Sequence, residues 1–157
     1  MINLCQRDQR WSSCRMSPSL LTLGKVGCTS TCVAMLSDYF GCYVSPDKAI
    51  DCNIKYTNQG LILWQNISYP CFKFEKRLYG FQENEIDAAL KDPRKAVILE
   101  VANGSHWVVA VRKVPFTHLY WIVDPWDGKQ KLSSAYKNIT GCAIFVGNSS
   151  VVPPYSF

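Results

Sequence analysis

Three side chains, in one order along the chain, are of the types that perform nucleophilic catalysis together. Cys28 comes first, His106 lies in the second half, and Asp124 follows it. In such a set the thiolate attacks, the imidazole moves the proton, and the carboxylate orients the imidazole. The sequence has only two histidines, His106 and His118, so a base for Cys28 has almost no alternative. The order of these residues and the scarcity of histidine predict a Cys-His-Asp triad.

Cys28 is expected at the start of a helix. The segment Gly24-Lys25-Val26-Gly27 has the composition of a flexible turn, and apolar residues then recur every three or four positions as far as Phe40. This pattern predicts an amphipathic helix over 28–40, with Gly41 at its C-terminal end. The free N–H groups and the positive dipole end at a helix N-terminus stabilise a thiolate. The alternative for Cys28 is an inert core thiol.

His106 and Asp124 are expected at the ends of two neighbouring strands. His106 begins the β-type run 106–111, and Asp124 closes the run 119–123 just before Pro125. In adjacent antiparallel strands the start of one lies beside the end of the next, so the two side chains become neighbours. Asp127 is the competing carboxylate, although Asp127-Gly128 is typical of a turn. The alternative for His106 is a structural histidine without a catalytic role.

The order of elements predicts an α+β fold. Helical patterns over 28–40, after Ser45-Pro46 and over 82–91 precede β-type runs over 96–101, 106–111, 119–123 and 142–146. Helices first and strands afterwards favour an antiparallel sheet. At 157 residues, with 48% hydrophobic residues, the chain is expected to form one domain over 1–157. The tail at Val152-Pro153-Pro154 is expected to be extended and peripheral.

Composition argues against several kinds of partner. The net charge of +5 is scattered, apart from a local cluster at Lys73, Lys76 and Arg77, which favours solvated faces over a nucleic-acid site. No apolar run is long enough to span a membrane. No pair of cysteines has the Cys-x-x-Cys spacing, so we expect no metal site, and the sequence indicates no cofactor. We expect a monomer.

Eight cysteines raise the question of redox state. The first residues, Met1-Ile2-Asn3-Leu4, lead directly into polar Gln6-Arg7-Asp8 without the apolar core of a signal peptide. This favours synthesis in the cytoplasm, while the site of action stays open. We therefore expect no disulfide at Cys28 and mostly free thiols elsewhere.

Five motifs in order resemble a known family. The Q-x-D-x-x-W pattern Gln6–Trp11, the run Gly27–Leu36, Ser45-Pro46, His106–Val109 and Asp124–Gly128 together look like the peptidase C39-like branch of the papain-like cysteine peptidases. The resemblance covers residues 5 to 146. It implies a papain-like fold in which an N-terminal helix carrying the cysteine packs on a C-terminal antiparallel sheet.

The resemblance also implies roles. Cys28 would be the nucleophile, His106 the general base, Asp124 its orienter and Gln6 a side-chain donor to the oxyanion hole. Gln6 lies farther before the cysteine than the corresponding glutamine of typical papain-like enzymes, and Gln9 is its rival. Thr29-Ser30-Thr31 also lacks the proline that many relatives carry after the cysteine.

The implied activity is hydrolysis of a peptide or amide bond through a thioester. A peptide, a protein or the peptide of peptidoglycan is the expected substrate, as for a lytic or maturation peptidase of phage or bacterial type. The same triad also serves acyltransferases of the transglutaminase or arylamine acetyltransferase kind. A papain-like binding protein without catalysis is the third alternative.

Overall fold

The computed structural model describes residues 1–16, 20–51, 57, 59 and 61–148. The expectations for the tail at 152–154 and for the thiol of Cys52 lie outside these residues. Within the described ranges the fold is α+β, with a few helices and one six-stranded antiparallel sheet.

The strand that begins at His106 and the strand that ends at Asp124 lie side by side near the centre of the sheet. Its spatial order is β1-β6-β2-β3-β4-β5, and every neighbouring pair is antiparallel. The strands are β1 (Phe72–Tyr79), β2 (Lys95–Val101), β3 (His106–Lys113), β4 (Tyr120–Asp124), β5 (Lys129–Leu132) and β6 (Ile139–Gly147). The four runs predicted from the sequence are β2, β3, β4 and β6, the inner strands of this sheet.

The four helices are short except for the one that carries Cys28. They are α1 (Leu23–Val26), α2 (Cys28–Tyr39), α3 (Pro46–Asp51) and α4 (Glu83–Lys91). As predicted, α2 begins at Cys28, and Gly41 follows it with a positive φ of 82°. In the part of the chain that the structure describes, no helix is long and apolar enough to cross a membrane.

Three features of the elements correct the sequence-based expectations. The helix α2 is buried on all sides from Thr29 to Ser37, so it is a central helix and not an amphipathic one. The segment 24–27 was expected to be a flexible turn, but residues 24–26 belong to the helical turn α1 (Leu23–Val26) and Gly27 caps it. The strand β1 also precedes α4, so helices and strands are not separated along the chain as expected.

Helices cover both faces of the sheet. On one face, α2 packs against β3, and the shared core includes Leu36, Ile98 and Val109. On the other face, α4 packs against β2 and β3 around Ile86 and Leu99. Cys28 is therefore delivered to the sheet by the most deeply buried helix of the described chain, which gives its sulfur a rigid support.

The cysteines are free with one exception among those described. Cys28 is free, as are Cys5, Cys14, Cys32 and Cys142. Cys42 and Cys71, however, form a disulfide between the segment after α2 and the residue before β1. The expectation of mostly free thiols did not include this pair, because the sequence does not reveal which cysteines meet in the fold.

Candidate active site

Gly27 sets the position of Cys28. Its N–H donates to the carbonyl of Leu23 at 2.7 Å, which closes α1 directly before α2 begins. A Cβ on Gly27 would lie 2.4 Å from that carbonyl oxygen, so no larger residue fits between the two helices without a shift. Cys28 is consequently the first residue of α2, where backbone N–H groups have no partner within the helix.

The geometry brings His106 and Asp124 together, as the strand order predicted. Val109 of β3 lies opposite Val123 of β4, so Asp124 is diagonal to His106 on one face of the sheet. His106 Nε2 lies 2.8 Å from Asp124 Oδ1. Cys28 lies close enough to the same imidazole to raise its pKa. Since Asp124 occupies Nε2, Nδ1 is the nitrogen left for the sulfur.

The electrostatics of this contact favour an imidazolium. Burial of the ring lowers the pKa of His106, but hydrogen bonds to Asp124 and Cys28 outweigh the burial and raise the pKa to about 9. His106 is therefore protonated near neutral pH, and it shares the cleft with the thiol of Cys28. This arrangement can hold a thiolate-imidazolium ion pair.

Asp124 is completely buried and surrounded by donors. Its Oδ1 accepts from His106 and, at 2.9 Å, from the backbone N–H of Trp126. Its Oδ2 accepts from Lys131 Nζ at 2.8 Å and from the hydroxyl of Tyr136. Burial raises the pKa of Asp124, but these hydrogen bonds outweigh it and hold the pKa well below its usual value. The carboxylate stays charged and its orientation is defined.

Lys131 and Tyr136 are site residues that the sequence analysis missed. Lys131 comes from β5, opposite Ile122 of β4, and therefore lies diagonal to Asp124. Tyr136 follows a 3₁₀ turn after β5, and its ring centre is 5.3 Å from that of His106. Burial raises the pKa of Tyr136, which keeps its hydroxyl a donor. No motif marks either residue, because their role follows from the register of the β4–β5 hairpin.

Gln6 lies in the site despite its distance from Cys28 in the sequence. It is only 1% exposed and lines the same cleft as Cys28. Its amide nitrogen donates one hydrogen to the carbonyl of Gly24 at 3.2 Å, which leaves the second hydrogen for another acceptor. Its Oε1 is buried without a hydrogen-bond partner. The rival Gln9 is exposed and does not line the cleft.

The segment that carries Gln6 is tied down at both sides. The backbone N–H of Gln6 donates to the carbonyl of Pro125 at 2.7 Å. Trp11 is buried, and its indole N–H donates to the carbonyl of Cys5 at 2.8 Å, which anchors the segment in the core. Asp8 does not anchor the segment to the body. Its carboxylate instead accepts hydrogen bonds from Arg10 within the local turn.

The competing residues lie elsewhere. His118 has an 83% exposed side chain and pairs with Glu83 at 2.8 Å, away from the cleft. Asp127 pairs with Lys131 at 2.9 Å and caps a turn through the N–H of Lys129. Neither occupies a triad position. Trp126 contacts Asp124 through its backbone N–H, and its side chain is 44% exposed.

A cleft of about 520 Å³ opens over these residues. Gln6, Cys28 and His106 line it together with Trp64, Trp107 and Trp126. Clefts of this size with large apolar walls and a few polar groups are typical of small-molecule and peptide sites. Within the described ranges, no group of three or more His, Cys, Asp or Glu side chains is arranged to hold a metal ion.

Comparisons of this chain with protein-family models, with curated proteins and with solved structures found no match. The site must therefore be interpreted from its own geometry.

Proposed function

We propose that the chain is a papain-like cysteine peptidase of the C39-like branch that hydrolyses a peptide or amide bond through Cys28, His106 and Asp124. The observation that carries the proposal is one chain of contacts in the cleft. The buried Asp124 holds Nε2 of His106 at 2.8 Å, and the same ring shares the cleft with Cys28, whose proximity raises the pKa of His106. A surface or structural histidine needs no such pair of partners.

The architecture supports the family assignment independently of the motifs. The nucleophile begins a buried helix, and that helix packs on the antiparallel sheet that carries the base and its orienter. Cys32, the second cysteine of α2, differs from Cys28 in its surroundings. Burial raises the pKa of Cys32 well above its ordinary value, so Cys32 stays a neutral thiol. Of the two helix cysteines, only Cys28 lines the cleft.

The first half of the proposed reaction acylates Cys28. The thiolate attacks the substrate carbonyl carbon, and the electron pair of the C=O bond moves to oxygen. The backbone N–H of Cys28 and the free amide hydrogen of Gln6 stabilise that oxyanion. The C–N bond then breaks, Nδ1 of His106 gives its proton to the departing amine, and a thioester remains on the sulfur.

The second half hydrolyses the thioester. His106, now neutral, accepts a proton from water as the water oxygen attacks the thioester carbonyl. Collapse of the second oxyanion breaks the C–S bond, releases the carboxylic acid and returns the thiolate. Asp124 stays ionised throughout and stabilises the imidazolium whenever it forms. The substrate is a peptide, a protein or the peptide of peptidoglycan.

The test compares the two histidines in turnover. The full chain and the variants Cys28→Ala, His106→Asn and His118→Asn are assayed against peptide and peptidoglycan-peptide libraries. Loss of Cys28 or His106 lowers hydrolysis by about 10⁴-fold or more, whereas His118→Asn retains it. A haloacetamide probe reacts fastest with Cys28, because Cys32 and Cys142 are buried and the partly exposed Cys5 and Cys14 do not line the cleft with His106.

Three results decide against the proposal. Equal hydrolysis by the wild type and Cys28→Ala rejects this nucleophile. Products that form only when an amine acceptor is added, with none from water, assign an acyltransferase that uses the same three residues. If the wild type gives neither kind of product, the protein is a binding protein with this fold.

A further inference from the structure

The cleft contains a second charged feature besides the triad. Arg77 of β1 and Glu100 of β2 both line it, and Arg77 Nη2 lies 2.8 Å from Glu100 Oε2. The two side chains are only 12% and 17% exposed. Largely buried ion pairs cost desolvation energy and need further hydrogen bonds to be stable. We call these two residues the Arg77–Glu100 pair.

A glycine makes room for this pair. Gly141 of β6 lies between the two strands, opposite Tyr79 on one side and Glu100 on the other. A Cβ at Gly141 would lie 2.3 Å from Arg77 Nη1. Because Gly141 has no side chain, the guanidinium has room to cross β6 at this position.

The guanidinium is held on several sides. Its Nη1 donates to the carbonyls of Leu78 and, at 3.1 Å, of Cys142. The rings of Tyr79 and Trp107 each lie 4.6 Å from its central carbon. Arg77 therefore has a defined place and approaches Glu100 from the β1 side.

Glu100 is left with one unused oxygen. Its Oε2 faces Arg77 and accepts from the hydroxyl of Thr140 at 3.0 Å. Its Oε1 accepts no hydrogen bond from any described residue. A Cβ on Gly104, in the turn that leads to His106, would lie 3.8 Å from that oxygen. Glu100 also precedes Val101, which is paired with His106 across β2 and β3.

We propose that Glu100 Oε1 binds an ammonium group of the substrate, so that the site prefers peptides with an amine close to the bond that is cleaved. This inference rests on the proposed peptidase function. Hydrogen bonds with an ionised partner are about twice as strong as those between neutral groups, and in an ammonium–carboxylate pair both partners are ionised. The alkyl part of a lysine-like side chain can pack on Trp64 and Trp107, whose ring centres are 4.7 Å apart.

Arg77 limits this binding without preventing it. The positive charge of Arg77 lies beside Oε2 and weakens the attraction of Glu100 for a second cation. For a group that enters beside Gly104, however, Oε1 is the nearer of the two carboxylate oxygens. Glu100 disfavours an anionic substrate group at this place, since Oε1 would face it directly. The ammonium has two chemical sources, a lysine-like side chain or the amino terminus of a peptide.

Binding is measured separately from turnover. Acetylated hexapeptides carrying lysine, norleucine or glutamate at each position are titrated onto the full-length Cys28→Ala protein, with tryptophan fluorescence as the signal. At one position we expect lysine to bind at least about tenfold more tightly than norleucine. Omitting the acetyl group shows whether a free amino terminus takes the place of the lysine.

Substitutions then assign the preference to Glu100. Glu100→Gln in the same background abolishes the difference between lysine and norleucine, whereas the exposed Glu85→Gln, outside the cleft, retains it. Glu100→Asp keeps a negative charge beside Arg77 but moves the carboxylate back by one methylene. We expect it to weaken the preference for lysine over norleucine. It provides the test if Glu100→Gln does not fold.

The outcomes separate the two proposals. Hydrolysis without any preference for an ammonium group, or a preference that survives in Glu100→Gln, overturns this inference and leaves the peptidase proposal standing. An ammonium preference that depends on Glu100, found without hydrolysis by the wild type, supports this site and rejects the peptidase. If no peptide of the set binds, the inference is wrong.

Discussion

Asp124 is a fully buried carboxylate with four donors around it, and among those donors only His106 changes its protonation between neutral and mildly alkaline pH. Burial raises the pKa of Asp124, and the donors more than offset it, so the carboxylate remains charged. The protonation state of His106 therefore depends on one fixed negative charge at 2.8 Å. This makes the pH dependence of the proposed reaction a direct measure of that contact.

The first prediction concerns the alkaline side of the pH profile. Departure of the amine needs the imidazolium, so hydrolysis falls as pH rises through about 9, the pKa of His106. Alkylation of Cys28 by iodoacetamide needs only the thiolate and does not fall there. Asp124→Asn keeps an acceptor but removes the charge, so the alkaline decline moves to lower pH. Profiles of kcat and of the alkylation rate measure both effects.

Asp127→Asn is the matched control for that substitution. Asp127 also pairs with Lys131 but does not contact the imidazole. We expect its alkaline decline to stay near that of the wild type. A decline that is unchanged in Asp124→Asn would mean that the Asp124 charge does not set the pKa of His106.

The second prediction concerns the oxyanion donor. Gln6→Ala removes a side-chain N–H beside Cys28, and loss of one such donor slows the chemical step by about 100- to 1,000-fold. We expect kcat to fall by that factor while KM and the circular dichroism spectrum change little. Gln9→Ala, which alters an exposed residue, should leave kcat unchanged. Loss of activity in Gln9→Ala alone would transfer the role to Gln9, and full activity in both variants would leave only backbone donors.

At the scale of elements, the two edge strands of the sheet explain what the sequence analysis missed. The inner strands β2, β3, β4 and β6 carry apolar runs because both of their faces are covered, and such runs can be found in a sequence. The edge strands β1 and β5 are the mixed segment Phe72–Tyr79 and the polar segment Lys129–Leu132. Charged residues on edge strands prevent aggregation and also conceal the strand from a search for apolar runs.

The missed site residues follow from the missed strands. Arg77 lies on β1 and Lys131 on β5, and Tyr136 comes shortly after β5. The contact between His106 and Asp124 could be predicted, because it needs only two consecutive strands with recognisable ends. The contact between Lys131 and Asp124 could not, because it depends on the register of a hairpin whose second strand has no apolar pattern.

The third prediction tests this edge-strand support. Lys131→Met removes the ammonium 2.8 Å from Asp124 and leaves a buried carboxylate with less compensation. We expect the free energy of unfolding to fall by about 1–3 kcal/mol. The carboxylate then attracts the imidazolium more strongly, so the alkaline decline of kcat moves to higher pH, opposite to Asp124→Asn.

Lys129→Met is the control on the same strand. Lys129 is exposed. It lies opposite Asp124 in the β4–β5 pairing, which is a backbone pairing. Urea unfolding and the pH profile should both resemble those of the wild type. If Lys131→Met moves the decline to lower pH, Lys131 does not act on His106 through Asp124.

At the scale of the whole molecule, the disulfide links the segment after α2 to the edge of the sheet. Cys42 follows α2, and Cys71 precedes β1 at the far edge of the sheet from β5. Eight cysteines allow many pairings, and only the folded arrangement brings these two together. The sequence therefore could not identify this link, although it correctly left Cys28 out of any disulfide.

The fourth prediction concerns the stability that this link provides. A crosslink between residues 29 positions apart restricts the unfolded chain and typically stabilises the folded state by about 2–4 kcal/mol. The double variant Cys42→Ala/Cys71→Ala should lose about that much in urea unfolding, with the alkylation rate of Cys28 unchanged. Cys14→Ala, which removes a free cysteine, is the control. Equal stability of the double variant and the control would show that the link adds nothing.

The hydrogen bond from the backbone of Gln6 to the carbonyl of Pro125 has a mechanical consequence. Pro125 directly follows Asp124, so the group proposed to receive the substrate's oxyanion and the group that orients the imidazole are fastened to each other through one backbone contact of 2.7 Å. A displacement of the N-terminal segment would disturb charge stabilisation and proton transfer together. Oxyanion stabilisation and proton transfer use residues from distant parts of the described chain. Both therefore depend on this one backbone contact, and breaking it would disturb both at once.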